Sequence, residues 1–264
     1  DPLPARGERE SKPKESTMKK TLKVMSALLT YPTAELQTAV PELRAALDAE
    51  ARLPQKCRDR LDRILEQLAT WDLYELQERY ILLFDRTRSL SLNLFEHIHG
   101  ESRDRGQAMV DLKQLYERHG LELATNELPD YLPLFLEFLS VVPEPEAREL
   151  LGETAHILEA IRQRLKKRNS PYSSVFSSLR SLSQSAPAGE ILEAMLAAPD
   201  DDPNDLEALD AAWVDEEVKF GPGAASECGT DNIAAKIRAA RRPAAGIQQR
   251  ATSNRPVVTY TPAR

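Results

Sequence analysis

Only two cysteines, Cys57 and Cys228, occur in 264 residues, far apart and in unlike surroundings. That spacing excludes a disulfide framework and a cysteine-rich zinc site, and it fits a reducing compartment. Glycine is also scarce, with 10 residues, none of them in a phosphate-cradling loop or a dinucleotide-binding fingerprint. Strand signals are missing: Val, Ile, Thr and aromatics never alternate at length, and no Asn-Gly or Asp-Gly turn joins such runs. No apolar stretch reaches the roughly 18 to 20 residues that span a bilayer. The longest, Tyr131 to Val142, is broken by Pro133 and Glu137. The segment Asp1 to Lys20 lacks the apolar core of a secretory signal, so a cytoplasmic chain without direct membrane insertion is expected. An excess of basic charge is absent too. The net charge of −7 and pI near 5.3 exclude nucleic acid as a natural partner, since neutralising phosphates needs a basic face.

The chemistry of an active site is equally hard to find. Ser89, Ser91 and Ser102 are not set in a Gly-x-Ser-x-Gly elbow, and Cys57 lies in a charged helical stretch. No nucleophile stands beside a base and an oxyanion-holding group, so no catalytic residue is assigned and an enzyme is not expected.

What the chain does have is helix. Leu, Ala, Glu, Gln, Arg and Lys fill its long stretches, and 29% of all residues are charged. Apolar residues recur at helical spacing, which predicts an all-α, single-domain bundle. Leu22, Met25, Leu28 and Leu29 mark a first helix that stops at Tyr31-Pro32. A second is expected from about Ala34 to Ala51, and Leu61, Ile64, Leu65 and Leu68 share one face of a third. Asp72, with Glu75 three residues on, caps a fourth helix presenting Leu73, Leu76, Tyr80, Leu83 and Phe84. A fifth runs from about Ser102 to His119, and Gly120 is placed for a left-handed stop. The segment Tyr131 to Leu139 (YLPLFLEFL) is apolar nearly all round, which belongs at the centre of a bundle. Pro133 fits there only in a first turn, so that helix begins near Leu132. Further helices are expected over about Glu146 to Lys167, Tyr172 to Leu182 and Glu190 to Leu196.

The ends differ in composition. Residues 1–17 are charged, proline-bearing and poor in apolar side chains, which predicts disorder, and Met18 could be the natural start. Residues 18–197 form the helical body. Residues 198–220 are an acidic segment able to form a short helix, and 221–264 read as a disordered tail.

Two stretches are richer in polar groups than packing requires. The first is Phe84 to Met109 (FDRTRSLSLNLFEHIHGESRDRGQAM). His97 and His99, next to Glu96, invite a metal reading, and with it an alternative identity as a metal-dependent helical hydrolase. Residues two apart on a helix point away from each other, however, and no second histidine cluster exists, so no metal site is assigned. Hydrogen-bonded or helix-end histidines are the plainer account. The second stretch is Asn126 to Leu134 (NELPDYLPL), in which Glu127, Pro129 and Asp130 feed into the all-apolar helix. Asp130 is read there either as the N-terminal cap of that helix or as part of a carboxylate-bearing hinge that recognises a peptide.

At these stretches the chain resembles the delta-type assembly chaperones of respiratory nitrate reductases, within the TorD/DmsD/NarJ group of redox-enzyme maturation chaperones. The likeness spans about Met18 to Trp213. It is densest in ERYILLFDRTRSLSLNLFEHIHGESRDRGQAMVDL, Glu78 to Leu112, and in NELPDYLPLFLEFL, Asn126 to Leu139. The resemblance implies an all-helical domain of the TorD-like type that binds the N-terminal peptide of the apo catalytic α subunit. The chaperone then keeps that subunit competent for molybdenum cofactor insertion and complex assembly, and is not part of the finished enzyme. It implies no permanently held cofactor, only transient contact with the molybdenum cofactor during insertion into the partner.

The resemblance also links leader recognition to a hinge whose counterpart here is Glu127, Pro129, Asp130 and Tyr131. Tyr131 stands where many members carry His, so a role for a titrating imidazole is not expected, although a phenol still donates a hydrogen bond. On this reading Tyr80, Leu83, Phe84, Leu94 and Phe95 supply an apolar wall, with ordinary core packing as the plainer role of each. Arg86, Glu96, Glu127 and Asp130 set register and polarity. His97, His99 and Arg103 to Arg105 are candidates for contact with the unfinished subunit or the cofactor's phosphates.

Overall fold

A computed structural model describes residues 17–99, 103–123, 127–183, 185–198, Asp200 and Val257–Val258. The first run is α1 (Lys19–Leu28), α2 (Ala34–Thr38), α3 (Val40–Glu50), α4 (Gln55–Thr70) and α5 (Leu73–Tyr80). A π-helical turn, Ile81–Asp85, and a 3₁₀ turn, Arg88–Leu90, follow. Then come α6 (Glu96–His99), α7 (Arg103–Arg118), β1 (Glu122–Leu123), α8 (Leu132–Val141), α9 (Glu144–Glu153), α10 (Ala155–Lys167), α11 (Ser173–Leu182), α12 (Gly189–Ala197) and β2 (Val257–Val258). The fold is all-α, the two short strands forming a single parallel pair in which Glu122 faces Val257 and Leu123 faces Val258.

The helix α8 is the centre of the body. Leu132, Leu134, Phe135, Leu136, Phe138 and Leu139 are all buried there. At about 1.5–3 kcal/mol for each buried side chain, these six supply on the order of 10 kcal/mol. Pro133 falls in the first turn, as its missing N–H requires. The helix α1 packs along α8 and against α3, while α10 packs on α11 and α12, and α11 on α4. Ser26 of α1 donates its hydroxyl to the Pro133 carbonyl at 2.8 Å, tying the two helices where α8 begins. No side chain of its own caps α1. The distant Glu50 does so instead, its carboxylate accepting the Lys20 and Thr21 amides at 2.9 and 2.7 Å.

Two expected helices are each divided. The stretch Ala34 to Ala51 breaks between α2 and α3, because Pro41 has no N–H to continue the ladder and sits instead in the first turn of α3. The stretch Glu146 to Lys167 starts earlier, at Glu144, and breaks at Thr154. There both the Thr154 amide and its hydroxyl turn back to the Leu151 carbonyl, at 3.2 and 2.8 Å. The fourth helix does begin at Asp72, whose carboxylate accepts the Tyr74 amide at 2.8 Å. Gly120 does take the left-handed conformation, with φ +77°. The expected disorder of residues 1–17 and 221–264, and the acidic segment 198–220, lie outside the described residues apart from Thr17, Ala198, Asp200 and Val257–Val258.

Arg164 of α10 and Arg168, just past its end, hold the far end of the body. The buried Arg164 donates from Nη1 to the Ser89 carbonyl at 2.9 Å and from Nη2 to the Met195 carbonyl at 2.5 Å. Arg168 reaches Asp200 at 2.9 Å, and Asp200 also accepts the Ser89 hydroxyl at 3.1 Å.

Candidate functional site

The π-helical turn sets an aromatic row. It widens the backbone so that the Arg86 amide donates to the Ile81 carbonyl five residues back, at 2.9 Å. The Thr87 hydroxyl takes up the Leu82 carbonyl at 2.9 Å. Tyr80 and Phe84 then lie side by side, ring centroids 5.1 Å apart, with Tyr31 edge-on to Tyr80 at 5.6 Å and Tyr172 edge-on to Phe84 at 5.0 Å. The row is anchored by polar ends. The Tyr80 hydroxyl donates to the Leu29 carbonyl at 2.9 Å and stands 3.2 Å from the Tyr131 hydroxyl. Arg79 covers Trp71 at 4.6 Å and Tyr172 at 5.6 Å, and burial pushes the Tyr172 phenol up to about 12.

A second construction holds the hinge. The loop Leu92 to Phe95 runs against Asp130 to Leu132, with Asn93 and Tyr131 bridged antiparallel. The Leu94 amide donates to the Asp130 carbonyl at 3.0 Å and the Leu132 amide to the Leu92 carbonyl at 2.8 Å. The fully buried Asp130 does not cap α8. Its Oδ2 accepts the Phe95 amide at 3.0 Å, and Tyr131, without a side-chain cap, takes the N-cap position. The correction is physical: a capping oxygen satisfies its own helix, whereas this one satisfies a loop 35 residues away. Burial pushes the Asp130 carboxyl above its ordinary range, against the Phe95 amide and the charge of Arg105, which pull it down. Tyr116, pushed well up by burial and then by the Asp130 charge, donates to the Pro129 carbonyl at 2.7 Å.

Between the aromatic row, α1, α2 and the hinge lies an open cavity of about 1050 Å³. Tyr31, Tyr80, Phe84 and Tyr131 give it aromatic surface, Ala27, Leu36, Ala39 and Leu92 aliphatic surface. Its charged lining residues are Glu35, Asp85, Glu127 and Glu137, with no Lys or Arg among the described residues that line it. Burial raises the Glu137 carboxyl, and the charge of Lys23 on α1 lowers it. The cleft is therefore apolar with an acidic lining, suited to a cationic amphipathic segment.

The residues singled out in the sequence divide among these surroundings. Tyr80, Phe84, Glu127 and Tyr131 line the cavity; Leu83, Leu94 and Phe95 are buried and lie outside its lining. Arg86 is exposed beside the cavity residue Asp85. Pro129 and Asp130 shape the hinge behind it. Glu96 accepts the Ser91 hydroxyl and sits 3.4 Å from Arg105. The His97 ring turns inward and its Nε2 donates to the Ser91 carbonyl at 2.8 Å, with burial holding its pKa below the usual value. His99 lies edge-on to Phe95 at 5.9 Å. Among the described residues no group of three or more His, Cys, Asp or Glu is arranged to hold a metal. Sequence reasoning passed over Tyr31, Glu35, Asp85 and Glu137 as cavity residues. Glu137 carried a readable signal as the single charge of its helix, and Asp85 lay within the polar stretch Phe84 to Met109.

Fold and cleft together define a class: helical proteins with an open cleft of aromatic and aliphatic surface and an acidic lining. The particular family follows from comparison. The sequence model described as nitrate reductase delta subunit matches residues 32–178, and the chain belongs to that family. It is 45% identical over 219 residues to the nitrate reductase molybdenum cofactor assembly chaperone NarJ of Escherichia coli K12, covering 82% of this chain and 91% of that protein. NarW of the same strain is 40% identical over 207 residues, covering 78% and 86%. Bacillus subtilis 168 NarJ is 30% identical over 152 residues, covering 58% and 82%. No helix among the described residues is long and apolar enough to cross a membrane.

Proposed function

We propose that this chain is a cytoplasmic assembly chaperone for respiratory nitrate reductase. It binds the N-terminal segment of the apo catalytic α subunit in the acidic groove, keeps that subunit competent for molybdenum cofactor insertion and complex assembly, and leaves before the enzyme is complete. It is not an enzyme and keeps no cofactor; the molybdenum cofactor is the partner's cargo, met only in passing. Nucleic acid and membrane have no part in the work.

The observation that carries this reading is the cleft, about 1050 Å³ with four aromatic side chains in its lining and carboxylates as its charged groups. A helix with side chains about 10 Å across would fill that volume over about 13 Å, or roughly two turns. Two turns present three or four apolar anchors to a groove, the usual grip on an amphipathic helix. Ordering a flexible tail opposes binding, which leaves an affinity in the micromolar range and allows release. Membership of a family whose E. coli relative is a molybdenum cofactor assembly chaperone supports the choice of partner.

Calorimetry with a synthetic N-terminal peptide of the catalytic subunit tests the reading. Micromolar binding with a gain of helix by circular dichroism is expected, weakened about tenfold by Glu127→Lys. Absence of both heat and helix gain at several hundred micromolar peptide refutes it.

A further inference from the structure

The residues between Lys236 and Arg264 contain seven Lys or Arg and no Asp or Glu, in a chain whose net charge is −7. At its start, Ile237 stands four residues after Ile233, with Lys236, Arg238, Arg241 and Arg242 close by in sequence. This is a basic peptide carrying isolated apolar side chains, and its charge complements the acidic cleft. We infer that the segment Asp231 to Arg242 is an internal occupant of the cleft, which the partner's N-terminal segment must displace. The inference rests on the reading of the cleft as a peptide site.

Three observations carry it. The first is charge complementarity: Glu35, Asp85, Glu127 and Glu137 line the cleft without a Lys or Arg among the described lining residues. The second is an anchor. Val257–Val258 pair in parallel with Glu122–Leu123. Leu123 is four residues from the cleft residue Glu127, so the anchor sits within about 14 Å of the cleft. The third is reach. Asp200 is held on the body by Arg168, and the 31 residues from there to Asp231 extend up to on the order of 100 Å. The 15 residues from Arg242 back to Val257 extend up to about 50 Å. A segment tethered at both ends acts at millimolar effective concentration. Where it occupies the cleft for nine-tenths of the time, a competing peptide binds about tenfold more weakly. The consequence is a threshold: only a partner segment that outcompetes the tail is retained.

The test uses two full-length proteins, the natural chain and one carrying Lys236→Ser, Arg238→Ser, Arg241→Ser and Arg242→Ser. The probes are a synthetic peptide of residues 231–250 and the N-terminal peptide of a nitrate reductase catalytic subunit, both titrated by calorimetry at low salt. The residue 231–250 peptide is expected to bind the Ser-substituted protein one to one, and at least about fivefold more weakly once Asp85→Asn and Glu127→Gln are added. The catalytic-subunit peptide is expected to bind the Ser-substituted protein about tenfold more tightly than the natural chain. No binding of the residue 231–250 peptide overturns the inference. So does binding that ignores the cleft substitutions, as when the acidic run Asp200 to Glu217 holds the tail. Equal affinity of the catalytic-subunit peptide for the two proteins overturns it as well. A dimer of the natural chain by light scattering, lost in the Ser-substituted protein, assigns the tail to a second copy and overturns the internal reading. Should the residue 231–250 peptide bind in the cleft while the catalytic-subunit peptide binds neither protein, the inference stands and the proposed function falls.

Discussion

Replacing Asp130 by Ala and by Asn separates the hydrogen bond of this side chain from its charge. Asp130 is fully buried, its Oδ2 accepts the Phe95 amide at 3.0 Å, and its Oδ1 has no hydrogen-bond partner among the described residues. Asp130→Ala leaves the Phe95 amide unsatisfied in the interior, a loss of roughly 1–3 kcal/mol. With a urea slope of about 2 kcal/mol per molar, a 2 kcal/mol loss lowers the denaturation midpoint by about 1 M. Asp130→Asn keeps an acceptor for that amide and removes a charge whose burial is unfavourable, at the expense of attraction to Arg105. Its expected loss at pH 7 is under about 1 kcal/mol.

The pH dependence follows from the raised carboxyl. A group whose native pKa lies above its unfolded value of about 3.8 contributes stability that is complete below that value and lost as pH rises through the native pKa. Acidification from pH 7 toward 4 therefore favours the natural chain over the Asn variant, other groups cancelling in the difference. Urea titrations of the three proteins at pH 7 and 4.5 measure both effects. Equal losses in the Ala and Asn variants, or a gap between the natural chain and the Asn variant that ignores pH, would refute this account of the hinge.

Three further outcomes are expected. Glu137→Leu replaces a part-buried carboxylate in an otherwise apolar helix. It should raise thermal stability by on the order of 1 kcal/mol while weakening the cationic peptide in calorimetry, so that stability and binding move in opposite directions. The inward His97 ring, held below pKa 6.5 by burial, contributes stability present in full above that value and lost as pH falls through its native pKa. His97→Gln, which keeps a donor for the Ser91 carbonyl, should flatten the fall in stability between pH 6.5 and 5.5 by at most about 1.4 kcal/mol, read by denaturation at each pH. Gly120→Ala meets no atom within 4 Å but must hold φ +77°, so a loss of about 1 kcal/mol from backbone strain alone is expected in a urea midpoint.

What the sequence made legible was whatever depends on near neighbours. The start of α8 one residue before Pro133, the Asp72 cap and the left-handed Gly120 each follow from one residue's own constraints. The divided helices show the limit of apolar spacing as a guide, since periodicity continues through Pro41 and Thr154 while the hydrogen-bond ladder does not. The π-helical turn was invisible for a related reason: inserting one residue into a turn leaves composition and nearly all of the spacing unchanged. Asp130 shows the larger gap. Its position before an apolar helix is that of a cap, and only the return of a loop 35 residues earlier gives its carboxylate a different amide. The cleft carboxylates Glu35, Asp85, Glu127 and Glu137 come from four separate segments, so their convergence belongs to the packing of helices and not to any motif.

The guanidinium of Arg164 joins two distant parts of the chain. Its two arms end on carbonyls of Ser89 and Met195, one before the hinge and one in the last helix. A chain cut after residue 178, where the family match stops, would keep every element around the cleft yet lose the Met195 carbonyl that one arm of this buried cation uses. Ending the chain before Met195 therefore removes one hydrogen bond from a buried cation and weakens the packing of the body.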